Sequence, residues 1–127
     1  ELGLTLLLEP LNTKDMPGCF YSRAHQAAEI IELAGASNLK LMFDAYHGGV
    51  EGADVIETRK KYWDIVGHVQ LAAIPKRHEP DEGTFDYKAL FNALDDLGYD
   101  GWVGCEYRPR STVEAGLDWV ENYGQTL

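Results

Sequence analysis

Residues 4–10 read Leu4-Thr5-Leu6-Leu7-Leu8-Glu9-Pro10, a short apolar run that ends in a carboxylate and a proline. The run is too brief for a helix of ordinary length, and a continuous apolar stretch of this size is typical of a strand that is buried on both faces. Because strands of that kind belong to parallel sheets with helices packed against them, these residues favour an α/β fold.

The same strand pattern repeats along the chain. It predicts four strands, over residues 4–8, 39–43, 68–72 and 102–106. Helical patterns alternate with these runs, and residues 44–49 and 75–83 are predicted as loops. We predict one helix capped by Ser22 and ended by Gly35, one from near Gly52 to Val66, one capped by Asp86 and ended by Gly98, and one opened by a capping box of Ser111 and Glu114.

Four strand-and-helix units are half of the eight that close a parallel barrel of about 250 residues. The sequence therefore predicts a single α/β domain over residues 1–127, either an open four-stranded parallel sheet with helices or four βα units that form half of a (β/α)8 TIM barrel. Such a half-barrel has two open sheet edges and an uncovered inner face, so we do not expect a lone monomer. Two copies can satisfy both edges about a two-fold axis, and we expect a homodimer or a higher homo-oligomer unless an N-terminal half completes the barrel.

The composition argues against two classes of binding partner, nucleic acids and membranes. The 127 residues carry 11 Lys and Arg against 21 Asp and Glu, a formal net charge of −10, which repels nucleic acid and anionic lipid. No run approaches the roughly 18–20 apolar residues of a membrane span. Cys19 and Cys105 lie far apart, without metal-type spacing. We therefore expect a soluble cytoplasmic protein with neither a nucleic acid nor a membrane partner.

A residue that can bind a metal stands at the carboxyl end of every predicted strand. The four residues are Glu9, Asp44, Gln70 and Glu106, spaced by about one βα unit each. Because the loops after parallel barrel strands converge at one end, these side chains are expected to meet there. Three carboxylates so close together repel one another unless a cation lies among them, and oxygen ligands without cysteine favour Mg²⁺ or Mn²⁺. The sequence predicts a divalent metal site.

Three basic residues at the same end are candidates for contact with a substrate. His47 follows the second strand in a glycine-flanked loop. His68 lies two residues before Gln70, on the same face of its strand, where it either touches substrate or packs as a hydrogen-bonded core histidine. Arg77 lies in the basic segment 76–78 of the long loop, which in an acidic chain can recruit an anionic substrate.

Five segments together resemble the hydroxypyruvate isomerase family, and the resemblance extends over nearly the whole chain. The segments are Leu8–Gly18, Phe43–His47, Gly67–Ala72, Pro75–Pro80 and Gly98–Tyr107. The related 2-oxo-tetronate isomerases share these motifs, as do more distant sugar epimerases of the xylose isomerase-like barrels. The resemblance implies a (β/α)8 barrel in which this chain corresponds to strands five to eight.

The resemblance also implies an activity. Hydroxypyruvate and tartronate semialdehyde would interconvert through an enediolate, with a divalent metal as cofactor. The family's metal ligands fall on the four residues at the strand ends, Glu9 and Glu106 match the glutamates that move the proton, and His47 and Arg77 match substrate-contacting positions. A 2-oxo-tetronate isomerase, a sugar epimerase and a non-catalytic half-barrel that binds metal or serves assembly are the alternatives. A metal nuclease is disfavoured by the negative charge.

Overall fold

The computed structural model describes residues 3–124, in which one parallel sheet is covered on one side by helices. Its strands are β1 Leu6–Leu8, β2 Leu39–Asp44, β3 Val66–Leu71 and β4 Val103–Cys105. The α-helices are α1 Ala24–Ala34, α2 Ala45–Val50, α3 Val55–Lys61 and α4 Tyr87–Asp96. Two 3₁₀ segments are present as well, Trp63–Ile65 and Glu114–Tyr123.

The strands pair in chain order, β1-β2-β3-β4, and every pair is parallel. Sequential parallel strands joined by helical crossovers are the arrangement of a βα barrel, so the prediction of a parallel α/β fold is confirmed. The register sets Asp44 beside Gln70 and Gln70 beside Gly104. This register places the carboxyl ends of the strands along one edge of the sheet.

The hydrophobic core lies between the sheet and the helices. Alternate strand residues such as Phe43, Val69 and Leu71 point toward α4 and the C-terminal 3₁₀ segment, where they meet Leu90 and Trp119. Each fully buried side chain of this size stabilises the fold by about 1.5–3 kcal/mol relative to an exposed one. The core therefore fixes which face of each strand turns away from the helices.

The opposite face of the sheet is the one that a closed barrel would turn inward. Period-two alternation places Met42 and Asp44 of β2 on this face, together with His68 and Gln70 of β3. Within residues 3–124 the outer strands β1 and β4 pair on one side only. This inner face is consequently open, and it carries polar side chains at the carboxyl end of the strands.

The helix predicted from near Gly52 to Val66 is present but shorter, since α3 spans Val55–Lys61 and a 3₁₀ segment follows at Trp63–Ile65. Residues 45–50, expected as a loop, form α2, because the Asp44 carboxylate accepts hydrogen bonds from the amides of Tyr46 and His47. Gly52 then adopts φ 79°, and Asp54 caps the separate helix α3. The residues near Val66 belong to β3 instead.

Two predicted helix starts also need correction. Helix α1 has Arg23 and not Ser22 as its N-cap, and the side chain of Gln26 accepts hydrogen bonds from both of their amides. The capping box of Ser111 and Glu114 does not form, and the last segment is a 3₁₀ helix. The predicted ends at Gly35 and Gly98 and the Asp86 cap are confirmed.

In residues 3–124, none of the helices combines the length and the apolar character that crossing a membrane requires.

Candidate active site

The four residues at the strand ends lie at the same edge of the sheet. Glu9 comes directly after β1, Asp44 ends β2, Gln70 is the penultimate residue of β3, and Glu106 comes directly after β4. Parallel strands in register bring such positions side by side, and the alternation of side chains turns Asp44 and Gln70 to the inner face. The fold thus presents one candidate ligand from each strand.

Contacts among these side chains form two adjoining groups. Ligand atoms of Glu9, Asp44 and His47 all lie within 4.8 Å of one another. On the neighbouring strands, the Gln70 amide Nε2 donates to Glu106 Oε2 at 3.2 Å. Glu106 is close enough to Glu9 to raise its pKa, so the two groups belong to one site.

The pKa of Glu9 is shifted by the other carboxylates close to it. Burial, the charge of Asp44 and the charge of Glu106 raise the pKa of Glu9 to about 7, against a lowering by Arg77. Burial also raises the pKa of Asp44. A cation among these oxygens would favour the charged forms of Glu9 and Asp44 and would lower their pKa values again.

Two buried oxygen atoms that lack a hydrogen-bond partner within residues 3–124 show whether the site has free ligands for a metal. Glu9 Oε1 and Gln70 Oε1 are buried and have no hydrogen-bond partner in the described part of the chain. A buried acceptor without a partner costs about 1–3 kcal/mol, and metal coordination is one way in which proteins satisfy such atoms. Carboxylate and amide oxygens are the ligands that Mg²⁺ and Mn²⁺ prefer, so the residues fit the predicted ion.

The His47 ring is held in one orientation by Asn12. Its ring is 1% exposed, and Nδ1 accepts a hydrogen bond from the backbone amide of Asn12 at 3.0 Å. Burial lowers the pKa of His47, so the ring is neutral and its single proton lies on Nε2. That nitrogen is 3.9 Å from Glu9 Oε1 and points its N–H into the site.

Arg77 is held over the mouth of the site by three groups. Its Nη2 lies 3.0 Å from Glu106 Oε1, its Nη1 lies 3.9 Å from Asp15 Oδ2, and its guanidinium lies 5.0 Å from the centre of the Tyr46 ring. The side chain is mostly buried, and the backbone of Arg77 has φ 60°, in the left-handed region. The guanidinium therefore has little freedom to leave.

Three residues of the site escaped sequence reasoning. Asn12 is fully buried and also donates from Nδ2 to Asp15, and the Tyr46 hydroxyl donates to Asp15 Oδ2 at 2.6 Å. Their task is to orient His47 and Arg77. The signal in the sequence is that all three lie in segments that carry the family resemblance, Asn12 and Asp15 in Leu8–Gly18 and Tyr46 in Phe43–His47.

His68 lies beside Gln70, on the amino-terminal side of the other predicted site residues. It shares the inner face of β3 with Gln70 but sits one strand repeat nearer the amino end. There it lines a cavity together with residues 97–102. Its contact with substrate remains a prediction, whereas the other six predicted side chains are brought to one edge.

Comparison with known proteins identifies the class: the chain belongs to the family of xylose isomerase-like TIM barrels, whose model matches residues 1–123. It is 49% identical over 121 residues to the 2-oxo-tetronate isomerase of Cupriavidus necator, and 40% identical over 120 residues to the hydroxypyruvate isomerase of Escherichia coli. These alignments cover 95% and 94% of this chain but 46% of each relative. The predicted resemblance to this family is confirmed.

A solved structure has the same fold over the matched part. The Brucella melitensis protein described as an AP endonuclease of family 2 superposes with a TM-score of 0.90 at 42% identity, over 95% of this chain and 47% of that protein. The chain therefore spans about half the length of the relatives and of the solved structure that it matches.

Proposed function

We propose that this chain carries the metal-binding and proton-transfer residues of an aldose–ketose isomerase that interconverts hydroxypyruvate and tartronate semialdehyde. The observation that carries this proposal is the grouping of Glu9 and Glu106 with unsatisfied buried oxygens beside a fixed guanidinium. The two glutamates extend from the outer strands of the sheet, so a substrate held between them has a carboxylate on either side.

The metal is assigned to the four residues at the strand ends, Glu9, Asp44, Gln70 and Glu106. When bound, Mg²⁺ or Mn²⁺ supplies Lewis-acid stabilisation of the negative charge that develops on the substrate oxygens. The donor set is consistent with either ion, because it consists of oxygen atoms alone.

The proton moves between adjacent carbons of the substrate. One glutamate removes a proton from the carbon that bears the hydroxyl group in hydroxypyruvate, which leaves an enediolate, and a proton returns to the neighbouring carbon. Glu9 is assigned to the first task, because it follows β1 at one side of the sheet, across from Glu106 at the end of β4. Glu106 is assigned to the opposite face, with each group about 3 Å from its proton.

Arg77 and His47 orient the substrate. The guanidinium of Arg77 matches the geometry of a carboxylate, and the substrate carboxylate would pair with it in place of part of its contact with Glu106. The Nε2–H of His47 would donate to a substrate oxygen. A small 2-oxo acid with an adjacent hydroxyl group satisfies both contacts.

The similarity to the Cupriavidus necator protein favours a second candidate substrate, 2-oxo-tetronate. It has the same carboxylate, carbonyl and hydroxyl groups as hydroxypyruvate with one further carbon, so the same residues could act on it. Nucleic acid is not proposed as a substrate, because the net charge of −10 opposes binding to phosphates.

The test is an isomerisation assay of the full chain with hydroxypyruvate and with 2-oxo-tetronate, in Mn²⁺, in Mg²⁺ and in a chelator. We expect turnover with one of the acids in the presence of metal, and incorporation of deuterium from D₂O into the substrate. Metal binding without deuterium incorporation would contradict the proposal and support a non-catalytic half-barrel.

We also propose that this chain acts in the cytoplasm as a homodimer or higher homo-oligomer in which a second copy covers the open inner face. The two free cysteines are compatible with a reducing compartment.

A further inference from the structure

Glu79 is a buried carboxylate that takes no part in the site described above. Its side chain is 1% exposed, and both carboxylate oxygens accept hydrogen bonds from the backbone amide of Arg110, at 3.0 and 3.3 Å. The Arg110 side chain adds an ion pair, with Nε 3.0 Å from Glu79 Oε2. Gly116 closes the other side so tightly that a methyl group there would collide with Glu79 Oε1.

These contacts continue toward the candidate active site. Residues 77–79 and 106–110, which we call the paired segments, run side by side beyond the ends of β3 and β4. The Arg108 amide donates to the Arg77 carbonyl at 2.7 Å, and His78 Nδ1 donates to the Arg108 carbonyl at 2.7 Å. Arg77 Nε reaches the Glu106 carbonyl at 3.4 Å. Glu79 makes the last contact of this series.

The paired segments have a strained residue at their start. Arg77 is the only residue other than glycine with a positive φ among residues 3–124, and a non-glycine residue in that region costs about 1–2 kcal/mol. Such a conformation persists where the surroundings determine it. The Arg77 amide donates to the Ala73 carbonyl at 2.7 Å, and its carbonyl accepts from the Arg108 amide, so residues 108–110 supply one of the two backbone hydrogen bonds that hold Arg77.

We propose that Glu79 is a positioning residue for Arg77: by binding Arg110, it holds the paired segments together and fixes the guanidinium where the substrate carboxylate binds. This inference rests on the proposed function only for the identity of the anion that Arg77 receives. The contacts from Glu79 to Arg77 run through Arg110 and Arg108, and Glu79 itself does not touch the guanidinium.

A positioning role for Glu79 differs from a purely stabilising one in which backbone amides lose protection when Glu79 is replaced. If it only stabilised the fold, its removal would affect the core and the paired segments alike. If it positions Arg77, the Arg108 amide loses protection while the centre of α4 does not. The substrate pocket would then lose affinity for anions and keep its affinity for neutral polyols.

The first test is amide hydrogen exchange on the full chain with the variant Glu79→Gln. We expect exchange at the Arg108 amide to become at least tenfold faster, while the core amide of Leu94 in α4 changes by less than twofold. The matched control is Glu82→Gln, which removes a charge and the ion pair with Lys76 from the same loop but leaves the hydrogen bonds between Glu79 and the Arg110 amide in place. We expect that control to leave Arg108 unchanged.

Unchanged exchange at Arg108 in Glu79→Gln, or an equal increase at Arg108 and Leu94, would overturn the proposal. If Glu79→Gln does not fold, Arg110→Gln is compared with Asp81→Asn, because the Arg110 guanidinium also donates to both oxygens of Asp81 at 2.7 Å and only the first variant removes the ion pair with Glu79. We expect a smaller increase, about threefold, at Arg108 in Arg110→Gln. The absence of any local increase would overturn the proposal there too.

The second test is binding of glycerate, an anion, and of dihydroxyacetone, a neutral polyol, in the presence of Mn²⁺. We expect Glu79→Gln to raise the Kd of glycerate about tenfold and to leave that of dihydroxyacetone within twofold. An equal loss for both ligands would overturn the positioning role. If the unmodified chain does not bind glycerate, the proposed function fails, and the exchange result at Arg108 then decides on Glu79 by itself.

Discussion

At Glu9, three influences act in the same direction. Burial and the charges of Asp44 and Glu106 together raise its pKa to about 7, so the group is mostly protonated at pH 6 when no cation is present. A bound cation reverses the balance, because ligands must be deprotonated to coordinate. If this site binds a metal as proposed, binding and proton release are therefore linked at this residue.

We expect the binding of Mn²⁺ at pH 6 to release close to one proton per ion, and the release to fall toward zero at pH 9. Calorimetric titration in buffers of different ionisation enthalpy measures the number of protons. Glu9→Gln should bind the metal more weakly and release fewer protons than the unmodified chain. Equal heats in all buffers at pH 6 would show that this linkage is absent.

Glu106 is assigned to proton transfer, and it is half exposed, beside Arg77. We expect Glu106→Gln to lower kcat for isomerisation by a factor of about 10²–10⁴, because the amide cannot exchange a proton with carbon while its shape is retained. Glu114→Gln, an exposed position outside the site, is the control and should keep full activity. Turnover at the unmodified rate by Glu106→Gln would remove Glu106 from the mechanism.

Gly104 matters because of the side chains that lie against it. A Cβ at this position would lie 2.9 Å from His68 Nε2 and 3.0 Å from Gln70 Cγ. We expect Gly104→Ala to displace Gln70 and to weaken metal binding about tenfold, measured by titration with Mn²⁺. Gly48→Ala, whose Cβ would meet no atom within 4 Å, is the matched control. Equal affinity in Gly104→Ala and the control would contradict an involvement of Gln70.

For the helices, apolar periodicity predicted where a helix lies more reliably than single capping residues predicted where it begins. Helix α4 was correctly bounded because its apolar residues recur at helical spacing and Asp86 and Gly98 mark its two ends. The region of α2 and α3 was misread because helix α2 is six residues long, too short for a periodic pattern. Its formation depends on the Asp44 carboxylate, a contact that a pattern of apolar residues does not reveal.

The Asp86 cap gives a prediction for α4. Its carboxylate accepts a hydrogen bond from the Ala89 amide at 2.9 Å, so we expect Asp86→Ala to lower the free energy of unfolding by about 1 kcal/mol. Urea denaturation monitored by circular dichroism measures the difference. Asp95→Ala, near the other end of the same helix, removes a charge that opposes the helix dipole and should not destabilise. A similar loss in both variants would contradict the capping role.

For the whole molecule, the sequence predicts where the site residues lie on the sheet better than it predicts which residues they form hydrogen bonds with. Strand order and register place Asp44 beside Gln70 whatever the loops do, and this could be inferred from the spacing alone. The contacts of Asn12 with His47 and of Asp15 with Tyr46 join residues that are more than 30 positions apart through irregular loops. No periodicity encodes such contacts, and only the folded chain reveals them.

The open edges of the sheet lead to a prediction on assembly. Strand β1 has an unpaired side in the described residues, and Leu6 there is 58% exposed. We expect sedimentation equilibrium at micromolar concentration to give twice the chain mass of 14.2 kDa. Leu6→Lys should shift the chain toward monomer, because a charge on an edge strand opposes pairing. Leu33→Lys, on the exposed surface of α1, should not. A stable monomer of the unmodified chain would contradict the proposed dimer.

The four residues at the strand ends all come from one uninterrupted stretch, from Glu9 to Glu106. A single segment of coding DNA therefore transmits these chemical groups together. Recombination that replaced whatever covers the open face would alter the walls around a substrate and leave these groups intact. If the chain has the proposed activity, a mutation that alters substrate preference can thus be inherited separately from the groups assigned to the reaction.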